Sequence, residues 1–462
     1  MSDLGDVRGL WWLPEDPDHK VPGALTFDRE TGGELVLHGE MRRPEWVDNA
    51  LPDGSVQRLR TRPEDERFAK LYPRIHGRTA STAYTLEDCF SVLVSERHQA
   101  EYAVERIHVN RVLKGAWFGE SEEASFDRAT ADLRHLTAWV GHSGLHVEPD
   151  ESPRPDGAPF VVLRADFAET FRSSTDPGEI QFTQSLAQDG DHIHELRVTQ
   201  RWMLQFRQAE LTSLSGLLDL VSDMQDLVSI AAGQTCDVDS LTLEHPEVPL
   251  QSLGGTVIGD RRAPIGYFAR WANRSSSEGL MAAHEFYFSF DDLGGMAGVQ
   301  KWMQFAARFR TELGRVMATR YSQSMYLEDR IMNACAALES LDGVGRGNVD
   351  ARGVHLVDRL TECINVAGDP FKSLIVEDPR QWATRVKDCR HSLAHHLEAF
   401  RTNSTGVEYL LAEQLYWLFA MCSLRMVGAP ENVFACIAKH PQMRWLTGEA
   451  ARAERHGGPA QP

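Results

Sequence analysis

Residues 382–400 read WATRVKDCRHSLAHHLEAF. Apolar Trp382, Val386, Cys389, Leu393, Leu397 and Phe400 recur at steps of three and four, the spacing of one buried helical face. Turning about 100° per residue from Leu393, Arg390 falls at the border of that face and His391 and His395 on the opposite side. Lys387, Asp388 and Glu398 share that far side, so the back of the helix is a band of titratable groups suited to acid-base work.

Working outward, the same period continues on both flanks. Val299 to Met317 and Leu327 to Leu341 each predict a helix, the second stopped by Asp342-Gly343, and a shorter helix is predicted over 354–366. Residues 404–427 are apolar on nearly every side, which predicts an enclosed helix. Further upstream the period changes to two: residues 24–27 (ALTF) and 34–37 (ELVL), separated by Gly32-Gly33, predict a hairpin. Residues 148–158, EPDESPRPDGA, read as a linker. Strands are predicted at 160–163, 195–198, 241–243 and 286–290, and a long helix through Leu211, Leu214, Leu218, Val221, Met224, Val228 and Ala231. The expected class is α+β: a β-rich N-terminal region of one or two units followed by an all-α bundle. The expected domains are 1–150, 159–295 and 298–445, with a disordered tail at 448–462.

The net charge of −19 is unevenly placed. Residues 1–300 hold 28 Lys and Arg against 49 Asp and Glu, whereas residues 301–450 hold 18 against 17. Phosphate contacts need local positive charge, so only the second part approaches a polyanion cheaply, and non-specific nucleic-acid binding over the whole surface is excluded. The seven cysteines form no CxxC pair and read as reduced, mostly buried thiols. No apolar run approaches the roughly 20 residues needed to span a bilayer, and the first dozen residues lack a signal-peptide pattern. A cytoplasmic protein without membrane contact is expected.

An Arg, four intervening residues and a His, with a polar residue directly after the Arg, late in a helical domain, resembles the HEPN ribonuclease motif: Arg390, His391 and His395. Upstream, YLEDRI at 326–331 running into AALESL at 336–341 resembles the first long helix of the HEPN domain in ApeA-like anti-phage proteins. Gly9 to Pro14 (GLWWLP), His76-Gly77-Arg78, and Leu113 to Phe118 (LKGAWF) resemble the N-terminal region that accompanies it.

The resemblance implies a HEPN-type bundle acting as an endoribonuclease in abortive infection, without metal or other cofactor. His395 would take the proton from a 2′-hydroxyl and Arg390 would meet the charge on the attacked phosphorus, with His391 beside them. Lys387 and Arg385 read as contacts to substrate phosphate, or as merely solvated cations, rather than as catalytic groups. Because Arg390 and His395 stand about 140° apart on a regular helix, pairing across a homodimer axis is expected. The implied partners are RNA, with tRNA a candidate that nothing in these residues selects over mRNA, and a phage-derived trigger at the acidic N-terminal region. The alternative is a non-catalytic HEPN-type module that binds a nucleotide or a protein. His391 and His395 also have the spacing of two metal ligands on a helix, but no acidic or Cys partner stands at recognisable spacing. His142 and His146, and His192 and His194 beside Glu195, read as surface histidines rather than a metal site. Trp11, Trp12, Trp117 and Trp139 read as core rather than as base-stacking rings.

Overall fold

The computed structural model describes residues 4–43, 45–52, 55–61, 70–95, 103–119, 123–150, 160–175, 178–191, 193–252, 254–270, 279–322, 324–345, 353–395 and 405–456. Two compact units divide the chain, each stitched from three stretches: Met1–Ala131, Phe206–Leu217 and Asp239–Ala272 in the first, Asp132–Gln205, Leu218–Val238 and Asn273–Pro462 in the second. The α+β class holds, with a β-rich N-terminal region followed by an all-helical one.

The first unit is organised by alternation. Its leading strands are β1 (Leu4–Trp12), β2 (Val21–Asp28), β3 (Gly32–His38), β4 (Glu45–Ala50), β5 (Val56–Thr61), β6 (Leu71–Arg78), β7 (Ala83–Ser95), β8 (Val104–Lys114) and β9 (Ser125–Leu133). Antiparallel pairing runs β8-β3-β2-β1-β6-β7 and β7 returns to β8, so six strands close on themselves and leave no edge among them. The predicted hairpin is β2 and β3, with Leu25 opposite Leu35. Leu25, Leu35, Leu37, Ile75, Leu86 and Ile107 fill the interior. Buried Glu105 is satisfied there by the Met41 amide and the Tyr72 hydroxyl, both at 2.9 Å, as an enclosed carboxylate must be. Gly77 is required by contact: a Cβ there would lie 2.2 Å from the Trp11 ring.

After α1 (Leu136–Val140) come β10 (Leu145–Asp150), β11 (Phe160–Ala165), β12 (Phe171–Thr175), β13 (Gly178–Asp189), β14 (Arg197–Ser213) and α2 (Leu214–Ala232). Then follow β15 (Val238–Glu244), β16 (Pro249–Gln251), β17 (Val257–Arg262) and β18 (Ile265–Ala269). β18 pairs with the far half of β8, Ala269 opposite Arg111, beyond the part of β8 that holds β3.

The helical region comprises α3 (Gly295–Tyr321), α4 (Leu327–Gly345), α5 (Leu356–Ala367), α6 (Asp369–Ile375), α7 (Pro379–His395), α8 (Thr405–Val427), α9 (Glu431–Lys439) and α10 (Pro441–His456). Residues 410–424 of α8 are buried almost without interruption, and α3, α4, α5, α6 and α10 all pack on it. This is what an all-round apolar helix predicts. Arg320 of α3 grips Glu413 of α8 with two bonds of 2.8 and 2.7 Å and lies 3.6 Å over the Tyr416 ring. No helix of the described residues is long and apolar enough to cross a membrane. None of the seven cysteines is in a disulfide, and five of them are buried.

Several boundaries differ from those expected. Residues 148–150 belong to β10, which pairs with β11 (Asp150 opposite Phe160), and both strands fall in one unit, Asp132–Gln205 being one of its stretches; the rest of the expected linker, 151–158, lies outside the described residues. Leu211 belongs to β14 and α2 starts three residues later. Leu196 and Glu195 precede β14 rather than joining it. Residues 286–290 form no strand: Phe286, Tyr287, Phe288 and Phe290 are all buried, and the Tyr287 and Phe290 amides bond to Ala231 and Trp139 carbonyls instead of a ladder. The disordered tail expected from 448 is helical through His456, because Met443, Leu446 and Ala450 bury one face of α10; residues 457–462 lie outside the described residues.

One buried acid couples this packing to pH. Asp226 of α2 is enclosed and accepts a hydrogen bond from the Tyr321 hydroxyl of α3. Burial pushes its carboxyl up to about 7. The folded state therefore holds this proton more tightly than the unfolded chain, and the stability it contributes is full below about pH 4 and lost as pH rises through 7. Asp226→Asn is expected to flatten that fall by on the order of 4 kcal/mol. Urea unfolding of both proteins from pH 4 to 8 checks it; parallel curves would refute the assignment.

Candidate functional site on the Trp382 helix

α7 starts where its sequence says it must. Asp378 accepts from the Arg380 and Gln381 amides at 2.9 and 3.2 Å, and Pro379 occupies the first turn, where its missing N–H costs nothing. Trp382, Ala383 and Val386 are fully buried. The Trp382 indole donates to Gln414 Oε1 at 2.8 Å, Gln414 donates on to the Leu374 carbonyl at 3.2 Å, and Phe371 meets the indole edge-on at 5.5 Å. This anchors α7 to α6 and α8. Further along, Cys389 and Leu393 are only half-buried, and Leu397 and Phe400 lie outside the described residues.

Of the expected site residues, Arg390 is half-buried and pairs with Glu339 of α4 at 3.0 Å. His391 is exposed. Lys387 pairs with its neighbour Asp388 at 2.8 Å, and Arg385 with Glu377. His395 is the last residue of α7; its side chain lies outside the described residues. Each of the three cations thus already holds a carboxylate. Partly exposed pairs of this kind are worth only about 0–1 kcal/mol, so a phosphate displaces one at little cost.

A pocket of about 620 Å³ opens between α7 and the start of α8, lined by Gln381, Arg385, Asp388, Ser392, Glu408 and Leu411 among others. The lining positions 381, 385, 388 and 392 follow one another in a stripe at helical steps of four and three. Arg390 does not belong to that stripe and is held toward α4. Along the regular helix position 395 stands about 140° from position 390, and α7 is helical over both.

Sequence reasoning missed Glu339 as the partner of Arg390. It lies within the AALESL stretch that had been singled out, but only the packing of α4 against α7 joins the two. Ser392, Glu408 and the pocket itself were also missed, because they arise from the approach of α8 rather than from any local pattern.

Elsewhere, no group of three or more His, Cys, Asp or Glu able to hold a metal occurs among the described residues. His142 bonds to Asp291 at 3.0 Å, and His194 sits in an exposed turn with its Nδ1 2.7 Å from Asp191, not on a strand. His192 lies outside the described residues. Trp11, Trp12 and Trp139 are buried, but Trp117 is 43% exposed.

The family model described as ApeA N-terminal domain 1 matches residues 6–302, from β1 into the first turns of α3. Comparison with curated proteins and with solved structures gives no match. Because residues 6–302 are well over half of the 462, the chain belongs to the ApeA N-terminal domain 1 family.

Proposed function

We propose that this is an anti-phage defence protein whose helical region is a HEPN-type, metal-independent endoribonuclease. Membership of the ApeA family supports the defence role. The observation that carries the enzymatic reading is the setting of Arg390: half-buried, oriented by Glu339, on the helix that ends five residues later in His395. An arginine fixed in this way keeps its charge and its forked donors at the edge of solvent, ready for a phosphate.

In the proposed reaction His395 takes the proton of a ribose 2′-hydroxyl as that oxygen attacks the adjacent phosphorus. Arg390 meets the charge gathering on the phosphoryl oxygens. The 5′-oxygen leaves with a proton, and the products are a 2′,3′-cyclic phosphate and a 5′-hydroxyl. On one helix these two positions are about 140° apart, so the arginine acting on a given phosphate comes from a second copy of the chain. His391, exposed beside Arg390, is assigned to the same composite site, and Arg385 and Lys387 contact flanking phosphates once released from their carboxylates. The acidic N-terminal region is the proposed receiver of a phage-derived trigger.

The pocket beside α7 favours a second reading, in which the helical region binds a ligand without chemistry. The two separate in one assay. Purified protein is incubated with bulk RNA and with tRNA in EDTA, beside His395→Ala, and the cut ends are identified. Cleavage leaving 2′,3′-cyclic phosphates, lost by a hundredfold or more in the variant, supports the enzyme. Intact RNA in every lane, in protein exposed to phage lysate as well, supports the binding module.

A further inference from the structure

We propose that the first unit carries a binding site for a nucleoside phosphate, in the cleft framed by Trp12, His76 and Trp117. This inference is independent of the ribonuclease reading.

The cleft has a volume of about 630 Å³, inside the range of roughly 300–1,000 Å³ typical of small-ligand sites. It is built where three separate stretches meet: the end of β1, the end of β6 and the segment after β8. Its platform is Trp117, an exposed indole on a surface where such rings are normally covered. The ring is held in place: its Nε1 donates to the Gly77 carbonyl at 2.9 Å. His76 stacks nearly parallel to it at 6.2 Å and Trp12 meets it edge-on at 5.6 Å. A fixed aromatic face open to solvent is what a planar base stacks on.

The charges around it select an anion. Lys20 lies 5.2 Å over the Trp12 ring and Arg78 5.9 Å over the Trp117 ring, both exposed, and neither is paired with a carboxylate among the described residues. Arg8 also lines the cleft, bonded to Asp6 at 2.9 Å. These cations stand together in a region that carries 28 basic against 49 acidic residues over 1–300. His76 adds no charge: burial lowers its pKa, and its Nε2–H donates to the Phe118 carbonyl at 2.9 Å, which leaves Nδ1 as an acceptor. Stacking surface and cation together fit a base joined to a phosphate. A bare anion would not use the ring, and an apolar ligand would not use Lys20 and Arg78.

The test is calorimetric titration of the full chain with the four nucleoside 5′-monophosphates, with adenosine and inorganic phosphate as half-ligands. At least one monophosphate is expected to bind ten-fold or more tighter than either half-ligand. Trp117→Leu is expected to weaken binding about ten-fold or more, the scale of one base stack. Arg78→Gln, exposed and unlinked to the core, is expected to weaken it and reduce its salt dependence. Circular dichroism establishes that both variants fold. Absence of binding to any monophosphate at millimolar concentration overturns the proposal. So does phosphate binding as tightly as the nucleotides, or affinity unchanged in Arg78→Gln and in folded Trp117→Leu.

Discussion

Arg390→Ala is expected to cut RNA cleavage by a hundred- to a thousandfold or more, roughly the effect of removing one preorganised donor from a developing oxyanion, while leaving the protein folded. The geometry separates these two effects. Arg390 is 31% exposed and its one described partner, Glu339, is 28% exposed. The freed carboxylate therefore meets water rather than a closed interior, and the loss of stability is expected within about 1 kcal/mol. Arg390→Lys is expected to recover little, since an ammonium keeps the charge but loses the planar fork. Initial rates on an oligoribonucleotide, taken with the melting temperature of each variant, give the answer. Full activity in Arg390→Ala would remove the residue from the mechanism.

Trp382→Ala is expected to produce the largest loss of stability of any single change in α7. The indole is fully buried, and emptying such a site costs about 3–5 kcal/mol. Gln414, itself enclosed, would also lose its donor, adding about 1–3 kcal/mol if nothing replaces it. A fall of roughly 10 °C or more in the melting of the helical region is expected. Trp382→Phe, which keeps the ring and loses only the N–H, is expected to fall by less than half as much. Leu393→Ala, half-buried on the same helix, serves as the comparison and is expected to cost less than either. If Trp382→Ala melts with the parent protein, the anchoring of α7 through Gln414 is wrong.

Much of this was legible in the chain because it is local. The four- and three-residue steps of 382–393 gave a helix, the all-round apolarity of 404–427 gave its burial, and Gly32-Gly33 between two alternating runs gave the β2-β3 hairpin. The phrases at Gly9, His76 and Leu113 pointed to the family that the comparison then matched over 6–302. What was not legible depends on distant stretches meeting. The run Phe286 to Phe290 has the composition of a strand, but packing against α2 and α1 supplies its amides with carbonyls outside any ladder. The pairing of Arg390 with Glu339 spans 51 positions and follows no period. The tail from 448 was polar enough to read as free, yet three apolar residues in register sufficed to seat it. Trp117 was read as core by its type; only the shape of the strands around it leaves it uncovered.

The interleaving of the two units fixes an order of manufacture. The first unit takes its last stretch from Asp239–Ala272, and the second reaches back to residue 132 for the segments that carry α1 and most of α2. The first has all its stretches once residue 272 is made, whereas the second cannot be whole until the helices from α3 onward follow. The helical region also cannot be cut out intact by trimming at residue 295: the shortened chain would lack Asp223 and Asp226, the groups that hold Arg310 and Tyr321 of α3. A cell that lost the front of this gene would inherit not a liberated effector but a polypeptide missing part of its own scaffold.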